Sequence, residues 1–266
     1  MLGERNQPTQ SELQRTTTLL ASPSSVSQSR DEGWENKKRI LIILAHPDDP
    51  EFFLGGTIAR WTNLGHDVRY CLLTKGDKGT NDPKITPQML MGIREIEQKK
   101  AASKLGVSEI TFLNYEDGYI VPDLAMRKEI VKVIRQHKPD ILVTCDPQNY
   151  FSNRRYINHP DHRAAGQVVI DAVFPAAGNI NFFPELLDEG IRPHTVEEVW
   201  LSLTSNPNII LDIKAYWLQR LSALIEHRSQ IGDVLAFEKR MVDNLPKDEH
   251  GNLVYEEKFH RIIIRR

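Results

Sequence analysis

The run Ile40-Leu41-Ile42-Ile43-Leu44 leads straight into Ala45-His46-Pro47-Asp48-Asp49-Pro50-Glu51. An apolar run this short, with no polar alternation, reads as a strand buried on both faces. Such a strand belongs to a parallel sheet, and a parallel sheet needs helical crossovers to cover it. The downstream sequence obeys that demand. Arg39 to Ala45 is the first strand, and Gly55-Gly56 opens a helix that runs to Leu64 and stops at Gly65. Asp67 to Thr74 is a second strand, and Pro87 to Leu105 a long helix ended by Gly106. Glu109 to Leu113, Asp140 to Thr144, Glu198 to Leu203 and Ile209 to Ile213 read as further strands. Asp123 to His137, Asp161 to Val173 and Ala215 to His227 read as helices, and Phe259 to Ile264 as a final, antiparallel strand. The rhythm predicts a Rossmann-like, three-layer α/β/α fold around a mostly parallel sheet.

In open sheets of this kind, ligands bind at the carboxyl ends of the strands. The polar residues collect there. His46 to Asp49 follow the first strand, Thr74 to Asp77 the second, and Asn114 to Gly118 the third. Cys145-Asp146-Pro147 leads from the fourth towards His159-Pro160-Asp161-His162. The polar segment Gln148–Asn158 between them is either a wall over the site or a flexible connection.

The two histidine motifs offer imidazole and carboxylate at spacings of three residues. His46 and Asp49 can converge on one ion while the adjacent Asp48 points elsewhere. Pro160 suits the first position of a helix, and His159 and His162 then share a face. Each motif taken alone also has an ordinary reading, as an acidic helix cap or a pair of surface histidines. Taken together, they supply the N and O donors that Zn²⁺ accepts, with a carboxylate to spare for base work.

Composition excludes several alternatives. Lys and Arg total 34 against 36 Asp and Glu, so no basic surface points to nucleic acid. The two cysteines, Cys71 and Cys145, sit in apolar runs and read as buried thiols, too few for a cysteine-based zinc site. No apolar run is long enough to span a membrane, and no secretory signal opens the chain, so the expected location is cytoplasmic. Residues 1–37 are rich in Ser, Thr and Gln and read as a disordered tail, with a single domain over residues 38–266. A Gly-x-Ser-x-Gly elbow is absent, which argues against a serine hydrolase.

The motif A-H-P-D-D-x-E followed by Gly55-Gly56-Thr57, and H-P-D-H followed by Arg163 and Gly166, resemble the LmbE/PIG-L-like family of zinc-dependent N-deacetylases. Thr74-Lys75-Gly76-Asp77, Arg94 with Glu97, Asp117-Gly118 and His227-x-Ser229-Gln230 fit the same pattern. The resemblance covers roughly residues 38 to 230. It implies a metal triad of His46, Asp49 and His162, with Asp48 as general base. It implies that His159 stabilises the oxyanion or protonates the leaving amine, oriented by Asp161. Arg94 and Asp117 occupy positions suited to sugar or phosphate recognition. Ile157 stands where some relatives carry a tyrosine, which leaves Tyr150 and Tyr156 as nearby candidates. The implied activity is removal of an acetyl group from a small N-acetylglucosamine-type substrate, with Zn²⁺ or Fe²⁺ as the ion and a trimer or hexamer as the assembly. Another metal-dependent amidase or esterase on this scaffold, such as a thioconjugate amidase, is the alternative. A non-catalytic sugar- or nucleotide-binding module is a third reading.

Overall fold

The computed structural model describes residues 30–153 and 156–264. Residues 1–29 of the expected tail lie outside the described residues. Strands β1 (Arg39–Leu44), β2 (Asp67–Thr74), β3 (Glu109–Tyr115), β4 (Ile141–Cys145), β7 (Glu198–Ser202), β8 (Ile209–Asp212) and β9 (Glu256–Ile263) form one sheet in the order β3-β2-β1-β4-β7-β9-β8. The pairings from β3 through β7 are parallel, and β9 pairs antiparallel with both β7 and β8. A small hairpin, β5 (Phe151–Asn153) with β6 (Tyr156–Ile157), stands apart from this sheet.

Alternate residues of β1 enter different cores, as the pleat requires. Ile40, Ile42 and Leu44 pack towards α1 (Asp49–Asn63) and α2 (Pro87–Leu105). Leu41, Ile43 and Ala45 pack towards α3 (Leu124–His137) and α4 (Pro160–Asp171). These two layers bury both faces of the sheet. The chain moves outward from β1 to β2 and β3, then returns to place β4 on the other side of β1. The carboxyl ends of β1 and β4 therefore flank the point where strand order reverses, the usual ligand crevice of such sheets.

The structure departs from the expected elements in instructive places. The helix expected from Gly55 begins earlier, at Asp49, but it is broken at Leu54, whose φ of −151° and ψ of 24° are not helical. Arg220, on α5 (Trp217–Leu224), donates to the carbonyls of Glu51 and Phe52 on one side of the break. Glu257 of β9 accepts the amides of Gly56 and Thr57 on the other. The two side chains pair at 3.4 Å, so one ion pair satisfies the backbone groups that the break orphans. Side chains at the two glycines would collide with what closes the gap. A Cβ on Gly55 would lie 2.9 Å from Arg220 Cγ, and one on Gly56 2.6 Å from Ile213.

Packing also begins before Lys38. Trp34 lies between Trp61 and Trp200, with ring centroids 5.5 and 5.4 Å away. The Glu32 carboxylate accepts from Arg60 and from the Trp61 indole. Two further helices, α6 (Arg228–Ile231) and α7 (Val234–Asp243), follow α5, and Asp233 caps α7 by accepting the Ala236 amide. No helix among the described residues is long and apolar enough to cross a membrane.

Candidate active site

The cluster forms where β1 and β4 end. A cavity of about 600 Å³ is lined there by His46, Asp48, Asp49, Asp117, His159 and His162, among others. α1 brings Asp49, the loop after β3 brings Asp117, and α4 brings Asp161 and His162. α4 reaches the sheet because Gly166 lets it. A Cβ at that glycine would sit 2.2 Å from the Cys145 carbonyl oxygen at the end of β4.

Asp49 bridges two imidazoles. Its Oδ1 lies 3.1 Å from His162 Nε2, and its Oδ2 lies 3.4 Å from His46 Nδ1. Asn158 Oδ1 accepts from His162 Nδ1 at 2.9 Å, which turns the Nε2 lone pair towards Asp49. On its far side, His46 Nε2 meets Asp117 Oδ1 and Asp161 Oδ2, each at 3.2 Å. Burial pulls the His46 pKa down, but Asp49, Asp117 and Asp161 outweigh it and hold it well above the ordinary value. Burial likewise pushes the Asp49 carboxyl up, and His162 and His46 overcome that and drive it well below the carboxylate range.

Asp48 faces a different environment. Burial pushes its pKa up to about 6, against the pull of the Arg94 guanidinium. Arg94 Nη2 lies 3.1 Å from Asp48 Oδ2 and donates to the Pro47 carbonyl. Arg94 also donates to the Gly76 carbonyl and is only 4% exposed. The side chain expected to recognise a sugar or phosphate thus lines the cavity while its Nη atoms are engaged by the protein's own loops and Asp48. Asp117 lines the cavity too, with Oδ1 engaged by His46.

Asp161 has partners that the sequence does not show. The expectation was that its carboxylate orients His159. The first turn of α4 aims it inward, where it accepts from the Gly118 and Ile120 amides and from His46. Its backbone amide donates to His159 Nδ1 at 3.2 Å, and the charge of its carboxylate favours the protonated His159 ring. That contact leaves the ring proton of a neutral His159 on Nε2. Burial and the neighbouring His46 charge lower the His159 pKa.

Several site residues were not singled out from sequence. Gln98 accepts the Asp48 amide, Phe53 packs its ring edge-on against His162 at 5.1 Å, and Asn158 holds His162. Tyr156 and Ile157 of the β5–β6 hairpin line an adjoining apolar recess with Phe53 and Leu203. Tyr156, Ile157 and Asn158, at the end of the segment, thus form a wall of the site. Tyr150 is engaged differently, its ring covered by the Arg163 guanidinium.

The donor set suits a divalent ion of borderline softness. His46, His159 and His162 offer ligand atoms within 4.8 Å of one another. His162 Nε2 and His46 Nδ1 both confront carboxylate oxygens of Asp49, an opposition that a shared cation satisfies.

A mostly parallel sheet carrying this imidazole–carboxylate cluster at its switch point defines an α/β protein with a metal-competent site. The chain belongs to the PIG-L family, whose model, described as GlcNAc-PI de-N-acetylase, matches residues 41–173. It is 39% identical over 200 residues to a diacetylchitobiose deacetylase of Thermococcus kodakarensis, covering 75% of this chain and 73% of the relative. It is 28% identical over 211 residues to a Bacillus anthracis protein named "Probable N-acetyl-alpha-D-glucosaminyl L-malate deacetylase 2", covering 77% and 87%. The solved N,N'-diacetylchitobiose deacetylase of Pyrococcus horikoshii superposes with a TM-score of 0.78 at 29% identity, covering 98% of this chain and 95% of that one.

Proposed function

We propose that this protein is a metal-dependent N-deacetylase that hydrolyses the acetamide of a small N-acetylglucosamine-type sugar. The observation that carries the reading is Asp49 set between His46 and His162 while its neighbour Asp48 faces the same cavity, at the switch point of the sheet. The names of the relatives support the same chemistry.

His46, Asp49 and His162 would hold the ion, with Zn²⁺ favoured by the donor set and Fe²⁺ as the alternative. When bound, the ion supplies Lewis acidity to a water and to the acetyl carbonyl. Asp48 accepts the proton of the attacking water, a task suited to a base whose pKa is raised towards neutrality. His159 Nε2–H points from the half-exposed side of the cavity and donates to the developing oxyanion. The amine leaves with a proton returned from Asp48. Asp161 and Asp117 hold His46. The resemblance also supports a homo-oligomer of three or six chains and a cytoplasmic location, which sedimentation and fractionation test.

The test of the function is a deacetylation screen over free, phosphorylated, lipid-linked and thiol-precursor N-acetylglucosaminides, reading both acetate and free amine. Release of both from one of them is expected. Turnover of esters or thioconjugates without acetamide cleavage would replace this reading with the other hydrolase class.

A further inference from the structure

Asp48 adopts φ 85° and ψ −29°, a left-handed setting that costs a residue bearing a Cβ. No side-chain cap of its own holds it there. The structure places a buried chain of hydrogen bonds behind it. Gln98 Oε1 accepts the Asp48 amide at 2.7 Å. Gln98 Nε2 donates to both oxygens of Glu51, at 3.0 and 3.1 Å. Glu51 in turn accepts from the Tyr70 hydroxyl at 3.3 Å and meets His227 Nε2 at 3.2 Å. Tyr70, Glu51, Gln98 and His227 are all 0% exposed, and none of them lines the cavity.

The direction of the Gln98 amide follows from this arrangement. Glu51 accepts only, so it must face the NH₂ group, and the carbonyl end must then face Asp48. A glutamine free to flip would offer Asp48 a donor against a donor. His227 comes from the turn after α5, far along the chain, and meets Glu51 Oε2, while Tyr70 donates to Oε1, so both oxygens that Gln98 reaches are held from behind. Packing alone would fill this space with apolar side chains at lower desolvation cost.

We propose that Gln98 is a positioning residue for the reaction, and that Glu51 and His227 orient it so that it holds the Asp48 backbone in the setting that aims the carboxylate at the attacking water. The proposal rests on the deacetylase reading for what Asp48 does, but the hydrogen bond itself can be tested without it.

The full-length, metal-loaded protein is compared with Gln98→Leu and with the double variant Gln98→Glu/Glu51→Gln. In the double variant residue 98 still accepts the Asp48 amide, and residue 51 now donates to it. Gln98→Leu should keep its metal content and KM while kcat falls by roughly 10–100-fold, the scale of a slightly misplaced group. The double variant should recover most of that loss. Wild-type kcat in Gln98→Leu, a loss accounted for wholly by lost metal, or an equal loss in the double variant would overturn the proposal. Amide hydrogen exchange gives a readout that needs no substrate and no foldable Gln98→Leu. The Asp48 amide should be protected in the wild type and in the double variant. Free exchange at Asp48 in the wild type would overturn the proposal even if deacetylation is found. Protection without any deacetylation would overturn only the functional reading.

Discussion

The tripeptide His-Pro-Asp occurs twice at the rim of the sheet, at residues 46–48 and 159–161, and the two copies do opposite things. His46 is buried with both ring nitrogens engaged by carboxylates, whereas the His159 side chain is 40% exposed and turns Nε2 to the cavity. The aspartates are reversed too. Asp48 borders the cavity with its pKa pushed up to about 6, while Asp161 is fully buried and, despite that burial, held below the ordinary value by His46 and the Gly118 amide. The difference lies in where the helix starts. α1 begins after Asp48, leaving that residue in a left-handed turn, and α4 begins directly after His159, carrying Asp161 inward on its first turn. One spelling therefore yields a carboxylate that faces the cavity in one copy and a buried carboxylate that holds His46 in the other.

The contrast can be broken most severely at its centre. Asp49→Ala should abolish stoichiometric metal binding and with it all measurable turnover. Elemental analysis showing full metal in the variant would remove Asp49 from the ligand set. Asp48→Asn should retain metal and fold yet lose kcat by roughly 10²–10⁴-fold, and steady-state kinetics beside metal quantification separate it from its neighbour. His159→Ala should cost about 10²–10³-fold in kcat with little change in KM, the scale of one oxyanion donor. Loss of metal instead would make His159 a ligand. Asp161→Asn should act through His46, weakening metal affinity by roughly 10–100-fold in a chelator competition. An unchanged affinity would mean that the two carboxylates on His46 are redundant.

The mildest effect is on pH dependence. Asp48 must be ionised to act, so kcat/KM should fall as the pH drops through about 6. Arg94 favours the ionised form, and its removal makes protonation easier. Arg94→Leu should therefore move the acidic limb to higher pH. A limb that stays in place or moves down would show that Arg94 does not govern Asp48.

The parts of this picture that depend on local pattern were legible in the sequence. β1 announced itself because it is apolar on both faces, and the strand-end position of His46, Asp49 and His162 followed from the βα rhythm. What depended on facing was hidden. Nothing local says that the Asp161 carboxylate crosses to His46, because that contact joins α4 to β1. Arg94 reads as a free cation until α2 is seen to bury it. A signal was present, since the buried stripe of α2 runs Leu90, Arg94, Glu97, Gln98, Ala101, Leu105 and so interrupts an apolar face with polar groups. Polar residues at core spacing mark partners elsewhere, and here the partners are Asp48, Ser229 and Glu51. Trp34 was missed because a lone aromatic in a polar segment has no periodicity to report it.

Gly166 shows how far the site extends beyond its polar atoms. The hydrogen that stands in place of a side chain there acts as a spacer of fixed thickness between helix and sheet. A methyl group added at that point would wedge α4 away from β4, and His162, one turn earlier on the same rigid rod, would be carried off with it. The reach of the His162 imidazole is thus gauged by a residue that does not line the cavity, and tightening or loosening that gauge is a means of tuning the site without altering any of its polar groups.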